Sequence, residues 1–167
     1  MPIRSTALAL AAAVLATSTT PRAAELSGDC KPVFAALEKS IQANHTTTTN
    51  RGTDVLHGVT VDGAVYIQVR GAWRKSEISA RDNIAMSREN LKDASEFSCK
   101  ALPDSVVDGT PAANYATHTV NDDVVIDTRI AIAKGTGLAL SVVTRLPGGG
   151  GGDVVTRYAY GNVKAPI

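Results

Sequence analysis

The chain has 167 residues, of which 44% are hydrophobic and 20% are charged, the composition of a globular protein that can bury a core. Its 17 basic and 16 acidic residues give a formal net charge of +1 at pH 7. This balance excludes the strongly basic field with which proteins bind nucleic acid, so we expect no nucleic-acid partner.

The first residues have the layout of a secretory signal peptide. Arg4 precedes an apolar run from Ala7 to Ala16, and polar residues follow it. We predict residues 1–24 to be the signal peptide, cleaved between residues 18 and 24, and residues 25–167 to form a single α+β domain. The run is too short to cross a hydrocarbon core of ~30 Å, and no later apolar stretch is long enough. The sequence therefore predicts a periplasmic or secreted protein without a transmembrane anchor.

Two cysteines, Cys30 and Cys99, remain after the predicted signal peptide. In an oxidising compartment, an even pair without CxxC spacing is most simply a structural disulfide. We therefore predict a bridge that ties the beginning of the mature chain to its middle.

The predicted elements begin with a short amphipathic helix. Four apolar residues recur at helical spacing within residues 29–43, namely Val33, Phe34, Leu37 and Ile41. The threonines at 46–49 disfavour a helix because they are β-branched, and they are suited to open a strand.

Residues 54–79 predict three strands. The dipeptide Asp62-Gly63 is a strong signal for a two-residue hairpin turn between the first two strands. Counting back from this turn pairs Val59 with Tyr66. Both faces of the hairpin are then apolar, so each face needs a cover.

A second helix is predicted over residues 79–94, with Ser79 and Asp82 as a capping-box pair. From Phe97 onward, turn signals separate four or five strands, of which 124–133 shows the clearest alternation. The predicted fold is therefore α+β: an N-terminal helix and an antiparallel meander of about seven strands, with the second helix inserted after the third.

The residues offer no constellation for catalysis. His45, His57 and His118 lie far apart with no metal-binding spacing, and no Gly-x-Ser-x-Gly elbow occurs. The glycine run 148–152 precedes no helix start, so it predicts a flexible hairpin tip rather than a phosphate cradle. We expect a protein that is not an enzyme and that has no metal and no cofactor.

The order of elements and several turn and strand patterns resemble the LolA/LppX group of periplasmic lipoprotein and lipid carriers. The resemblance extends over residues 54–163, and the segments that carry it are 69–75, 107–109, Ala113, Tyr115, 133–140 and 158–163. It implies that the meander curls into a half-barrel. The concave face, partly covered by helices, would hold acyl chains.

The sequence leaves two functional hypotheses open. In the first, the protein carries a lipid or lipoprotein acyl chain on the concave face, with these candidate contacts: Val59, Tyr66, Ile67, Trp73, Ile130 and Leu140. All six would serve equally well as plain core. In the second, it is a protein-binding module, an inhibitor or an accessory to an envelope protein, that uses an edge strand or the aromatic surface of Tyr158 and Tyr160.

Overall fold

The computed structural model describes residues 30–122, 124–145 and 152–167. The predicted signal peptide and most of the glycine run lie outside the described residues. Within these ranges, no helix has the length and apolar character needed to cross a membrane.

The described part of the chain forms two helices and nine strands. The helices are α1, Lys31–Gln42, and α2, Ala80–Lys92. The strands are β1 (His45–Arg51), β2 (Asp54–Val61), β3 (Ala64–Val69), β4 (Ala72–Lys75), β5 (Glu96–Val107), β6 (Thr110–Asn121), β7 (Val124–Ala133), β8 (Ala139–Arg145) and β9 (Asp153–Tyr160).

All nine strands form one antiparallel sheet in the order β4-β3-β2-β1-β9-β8-β7-β6-β5. Two meanders, β1 to β4 and β5 to β9, are joined where β1 pairs with β9. The edge strands β4 and β5 do not pair with each other, so the curled sheet stays open. The predicted α+β class and half-barrel are confirmed.

The strand count of about seven is corrected to nine, because the threonine run forms a complete strand and the chain after residue 95 forms five. With β1 included, α2 follows the fourth strand rather than the third.

The hairpin turns follow the predicted chemistry. Asp62 and Gly63 have φ angles of 49° and 78°, the left-handed conformation that a type I′ turn requires at both positions. Val59 lies opposite Tyr66, as predicted. The turn at 108–109 repeats the Asp-Gly arrangement and joins β5 to β6.

The two helices begin differently. At α2, the Ser79 hydroxyl accepts a hydrogen bond from the Asp82 amide, and the Asp82 carboxylate accepts one from the Ser79 amide, which confirms the capping box. At α1, Cys30 occupies the N-cap without a side-chain cap, and Pro32 lies in the first turn. Proline is tolerated there because the N–H groups of the first turn have no partner within the helix.

Both helices lie on one side of the sheet, which we call the helix face; the other side is the outer face. The buried cluster beneath α1 consists of Val33, Ala36, Ile130, Ile132 and Ala139. Since residues opposite each other on neighbouring strands share a face, the register extends the helix face across most of the sheet. One row along it runs Tyr115, Ile130, Val142, Thr156, Thr49 and Leu56.

The predicted disulfide is present. Cys30 and Cys99 are bridged, with their Cα atoms 5.2 Å apart and 69 residues between them in sequence. The bridge fastens the N-terminus of α1 to edge strand β5. Because α1 also packs on β7 and β8, it is held at two separate places on the helix face.

A buried hydrogen bond joins α1 to β8. The Ser40 hydroxyl donates to the Ala36 carbonyl at 2.6 Å and accepts from the Ala139 amide at 2.8 Å. The Tyr160 hydroxyl donates to the Ala139 carbonyl at 2.7 Å, and burial raises the pKa of Tyr160 to about 12. Ala139 lies beside a register shift in the β7–β8 pairing, where the backbone hydrogen bonds between the strands are irregular. The side chains of Ser40 and Tyr160 therefore satisfy the backbone groups of Ala139 there.

His45 makes the stability of the fold depend on pH. The side chain is 5% exposed, its Nδ1 donates to the Ala43 carbonyl at 2.8 Å, and its ring packs against Tyr158 and Tyr160. Burial lowers the pKa of His45 below its ordinary value. Below a pH of about 6.5 the unfolded chain therefore binds more protons than the folded chain, and the free energy of unfolding decreases as the pH falls.

Urea unfolding at pH 7.5 and pH 5.5 tests this expectation. We expect His45→Gln to reduce the loss of stability on acidification. His118→Gln is the contrasting variant, because the hydrogen bond to Asp127 raises the pKa of His118 and its contribution is lost as the pH rises. If the wild type and His45→Gln lose the same amount of unfolding free energy between pH 7.5 and pH 5.5, the assignment is contradicted.

Candidate functional site: an apolar cleft beneath the helices

A cleft of about 380 Å³ lies between the two helices and the helix face of β5 to β8. We call it the helix cleft. The residues that line it are Val33, Phe34, Leu37, Glu38 and Ile41 of α1, Ile84, Ser87, Arg88, Asn90 and Leu91 of α2, and Phe97, Thr117, Thr119, Thr128, Ile130, Val142 and Thr144 of the strands.

The walls of the cleft are apolar because each helix turns its hydrophobic residues toward the sheet. In α1 the predicted apolar residues all line the cleft, and the Phe34 ring lies 5.2 Å from that of Phe97 on β5. In α2, Ile84 and Leu91 do the same at a spacing of two turns.

The floor alternates threonine with aliphatic side chains. Thr128 and Ile130 are two residues apart on β7 and share a face, as strand periodicity requires. The Thr128 hydroxyl lies 3.3 Å from that of Thr144 on β8. Because the two hydroxyls are partners for each other, the floor is less polar than its composition implies.

One ion pair bridges the helices at the rim of the cleft. The Arg88 guanidinium donates from Nε and Nη2 to the two Glu38 carboxylate oxygens, at 2.6 and 2.8 Å. The hydrogen bond from Arg88 lowers the pKa of Glu38, so the pair stays ionised at neutral pH. Both residues of the pair also line the cleft.

Helix α2 is lightly attached to the rest of the fold. Only Ala80 and Ile84 of its 13 residues are buried, and Met86 is 51% exposed. Its main neighbour is α1. A helix with so little buried apolar surface opens at low cost in free energy.

We expect Arg88→Gln to increase amide hydrogen exchange in α2 while it lowers the global free energy of unfolding by less than about 1 kcal/mol. The reason is that an exposed ion pair contributes little to overall stability, yet this one joins the two helices. Hydrogen exchange by mass spectrometry measures both quantities. Lys92→Gln, which removes the exposed pair with Glu89 within α2, is the control; equal exchange in the two variants would contradict the role of Arg88.

The six predicted contacts are distributed over four places. Ile130 is 3% exposed and lies in the floor of the cleft, and Ile67 lies on the helix face beyond the helices. Val59, Tyr66 and Trp73 lie on the outer face, as their register shows.

Leu140 lines a separate groove at the end of the sheet, together with Leu138 and Tyr160. Sequence reasoning did not include Phe34, Leu37 and the threonines of the floor, which line the cleft. The amphipathic pattern of α1 and the alternation of β7 were the signals that could have indicated them.

An exposed apolar strip continues the helix face past the helices. Leu56, Ile67 and Val69 are 47%, 36% and 39% exposed, and they lie on neighbouring strands β2 and β3. Gly58 lies opposite Ile67 and Thr47, and a Cβ added there would meet the Thr47 hydroxyl at 2.5 Å. A side chain at position 58 would therefore require the Thr47 side chain to move.

Tyr158 and Tyr160 also lie on the helix face. Their rings are stacked, with centroids 6.4 Å apart and planes inclined by 8°, and Tyr158 packs against the buried cluster under α1. The pair therefore forms part of the support for α1.

The described residues contain no group of three or more His, Cys, Asp or Glu side chains that could hold a metal ion. The chemistry that the cleft offers is burial of apolar surface. Its polar groups are hydroxyls and an amide, and its two charged groups, Glu38 and Arg88, are paired with each other.

The fold and the cleft define a class of protein: an α+β half-barrel, with two helices covering part of one face of an open antiparallel sheet. Among solved structures, the chain is similar to MucB, with a TM-score of 0.53, 18% sequence identity and 84% of this chain covered. The chain spans 62% of the MucB chain. MucB has also been solved in complex with MucA.

Other solved structures with a similar arrangement include the Mycobacterium tuberculosis lipoprotein LppX and LprF from Mycobacterium bovis. For LppX the TM-score is 0.45 at 9% identity, with 81% of this chain and 96% of that chain covered. For LprF the values are 0.44 and 7%, with 81% and 92% covered. The neighbours thus include a protein of the LolA/LppX group that the sequence resembles. No family model matches the chain, and no curated protein matches it.

Proposed function

We propose that this protein is a non-enzymatic binding protein of the cell envelope that holds an acyl chain of a lipid or lipoprotein in the helix cleft. The cleft itself carries the proposal. Its walls and floor are aliphatic, aromatic and threonine side chains, and among the described residues that line it the only charges are the paired Glu38 and Arg88.

The volume of the cleft suits a single apolar chain. At about 380 Å³ it lies near the lower end of the range for small-molecule sites, roughly 300 to 1,000 Å³. A chain that buries about ten methylene groups gains about 8 kcal/mol before the costs of association, at ~0.8 kcal/mol for each group. That gain exceeds the lower estimates for the cost of association, which begin at about 4 kcal/mol, without any charged contact.

The apolar strip gives the bound chain room to extend. Ile130 contacts the chain in the floor of the cleft, and Ile67 contacts the part that passes beyond the helices onto β3. Of the six residues predicted from the sequence, these two belong to the proposed binding surface. Exposed aliphatic side chains on a half-open sheet are costly in water unless something covers them for part of the time.

A substitution that fills the cleft tests the proposal. We expect Thr128→Phe to weaken binding of cis-parinaric acid, a fluorescent fatty acid, by tenfold or more. The phenyl ring occupies space that two or three methylene groups would otherwise fill, at ~0.8 kcal/mol for each. Titration followed by fluorescence measures the dissociation constant, and native mass spectrometry counts the bound molecules.

Thr46→Phe is the matched control, because it is the same change on a strand residue of the outer face. We expect its dissociation constant to equal that of the wild type. The proposal fails if the wild type binds no fatty acid, or if the two phenylalanine variants bind it equally well.

A protein partner is the second candidate function. The observations that favour it are the exposed strip of Leu56, Ile67 and Val69 and the outer edges of β4 and β5, which pair with no other strand among the described residues. The fold is also that of MucB, a protein solved in complex with another protein. A wild-type protein that stays free of fatty acid in the titration would favour this alternative.

A further inference from the structure

The outer face of β5 to β9 carries a second groove, of about 320 Å³, with a chemistry opposite to that of the helix cleft. Four bases, Lys100, His118, Arg129 and Arg145, line it together with two carboxylates, Asp127 and Asp153. We call it the outer groove. The sheet separates it from the cleft, and the proposed apolar ligand does not use it.

The charges of the outer groove fall into two rows along neighbouring strands. In the first row, His118 lies opposite Asp127, Asp127 opposite Arg145, and Arg145 opposite Asp153. The His118 Nδ1 lies 2.7 Å from the Asp127 carboxylate, and the Arg145 Nε lies 3.4 Å from the Asp153 carboxylate. Both carboxylates are thus already paired with a base.

The second row leaves two cations unpaired. Lys100 on β5 and Arg129 on β7 both lie opposite Ala116 on β6, so the two side chains flank one small residue. Their strands are about 10 Å apart, since each strand spacing is ~4.8 Å. Within the described residues, neither side chain has a hydrogen bond or an ion pair with another side chain.

His118 completes a set of three donors around Ala116. It lies two residues further along β6 on the same face, about 7 Å away at ~3.4 Å per residue. Because Asp127 engages the Nδ1 atom, the Nε2 atom is the one left for a ligand. The same hydrogen bond raises the pKa of His118 and favours the doubly protonated ring, in which Nε2 is a donor.

We propose that the outer groove binds a phosphate monoester, with Lys100, Arg129 and His118 each donating to one oxygen of the group above Ala116. A phosphate monoester has three free oxygens and carries close to two negative charges at neutral pH, which matches three donors on three adjacent strands. A carboxylate carries only one negative charge, so it would compensate less of the positive charge of the three bases.

Titration of the purified protein with inorganic phosphate, by calorimetry and by the shift of the His118 imidazole signals in NMR, tests the proposal. We expect saturable binding that Lys100→Gln and Arg129→Gln each weaken about tenfold or more. Arg157→Gln is the control, because it removes a base from the outer face of β9, beyond the residues that line the groove. All three side chains are exposed, so none of the variants is expected to unfold the protein.

Vesicles distinguish a lipid headgroup from a free phosphate ester. Phosphatidic acid presents a phosphate monoester at its surface, whereas phosphatidylcholine does not. Tighter binding to phosphatidic acid vesicles than to inorganic phosphate, displaced by added phosphate, would support the proposal and assign the site to a lipid. Equal affinity for phosphatidic acid vesicles and for inorganic phosphate would also support the proposal, and it would assign the site to a soluble phosphate ester. The proposal is overturned if phosphate does not bind saturably, or if Arg129→Gln and Arg157→Gln weaken binding to the same extent.

Discussion

Replacing Cys30 and Cys99 together with alanine is expected to lower the free energy of unfolding by about 4 kcal/mol. The bridge closes a loop in which the two cysteines are 69 residues apart, and in the unfolded chain such a closure removes a large amount of conformational freedom. In the folded chain it holds the N-terminus of α1 on β5. The cleft wall formed by Val33, Phe34 and Leu37 therefore loses an anchor as well.

Urea unfolding of the wild type, with and without a reductant, and of the double alanine variant measures this effect. The reduced wild type and the variant are expected to agree within about 1 kcal/mol, since both lack the covalent link. Ser98→Ala, which changes the residue beside Cys99 on β5, serves as the control and is expected to unfold like the wild type. A loss below about 1 kcal/mol would mean that the unfolded chain gains little freedom when the bridge is removed.

The second large effect is expected at Ile130. Ile130→Ala should lower the free energy of unfolding by about 2 to 5 kcal/mol, because the side chain is 3% exposed and belongs to the buried cluster beneath α1. Its surroundings include Ala36 and Ala139, which are too small to move into the space left behind. The substitution also enlarges the helix cleft at its floor.

Denaturant unfolding with two companion variants checks this expectation. Ile130→Val removes one methyl group and should cost about 0.5 to 1.5 kcal/mol. Val124→Ala, on the same strand at a residue that is 46% exposed, should cost less than Ile130→Ala by at least about 1 kcal/mol. Equal losses for Ile130→Ala and Val124→Ala would show that Ile130 is not part of a close-packed core.

Local signals predicted the elements well where a few neighbouring residues decide the conformation. Asp62-Gly63 specifies a type I′ turn, and the turn specifies that Val59 lies opposite Tyr66. Ser79 and Asp82 cap α2 through bonds between residues three positions apart. The cysteine pairing was predictable because the chain has only two cysteines.

Strand β1 was harder to predict because one of its two partners, β9, is distant in sequence. Its threonines give no alternation of apolar and polar residues, and it becomes a full strand by pairing with β2 on one side and β9 on the other. The partner residues on β9 are more than 100 positions away, as for the Thr49 and Thr156 hydroxyls, which lie 2.9 Å apart. A single-sequence pattern contains no information about such a pairing.

The sequence by itself determined the α+β class, the hairpins and the two amphipathic helices, because backbone propensities and side-chain periodicity act over a few residues. It determined the covalent bridge because the chain has only two cysteines. Only the tertiary structure decided which face of the sheet the helices cover. That decision places Ile130 in a cleft and Tyr66 on the outer face, although both belong to strands of similar composition. The face is chosen by the packing of α1 on β7 and β8 and by the hydrogen bond between Ser40 and Ala139. These contacts join residues nearly 100 positions apart, so they can stabilise the fold only after the sheet has formed.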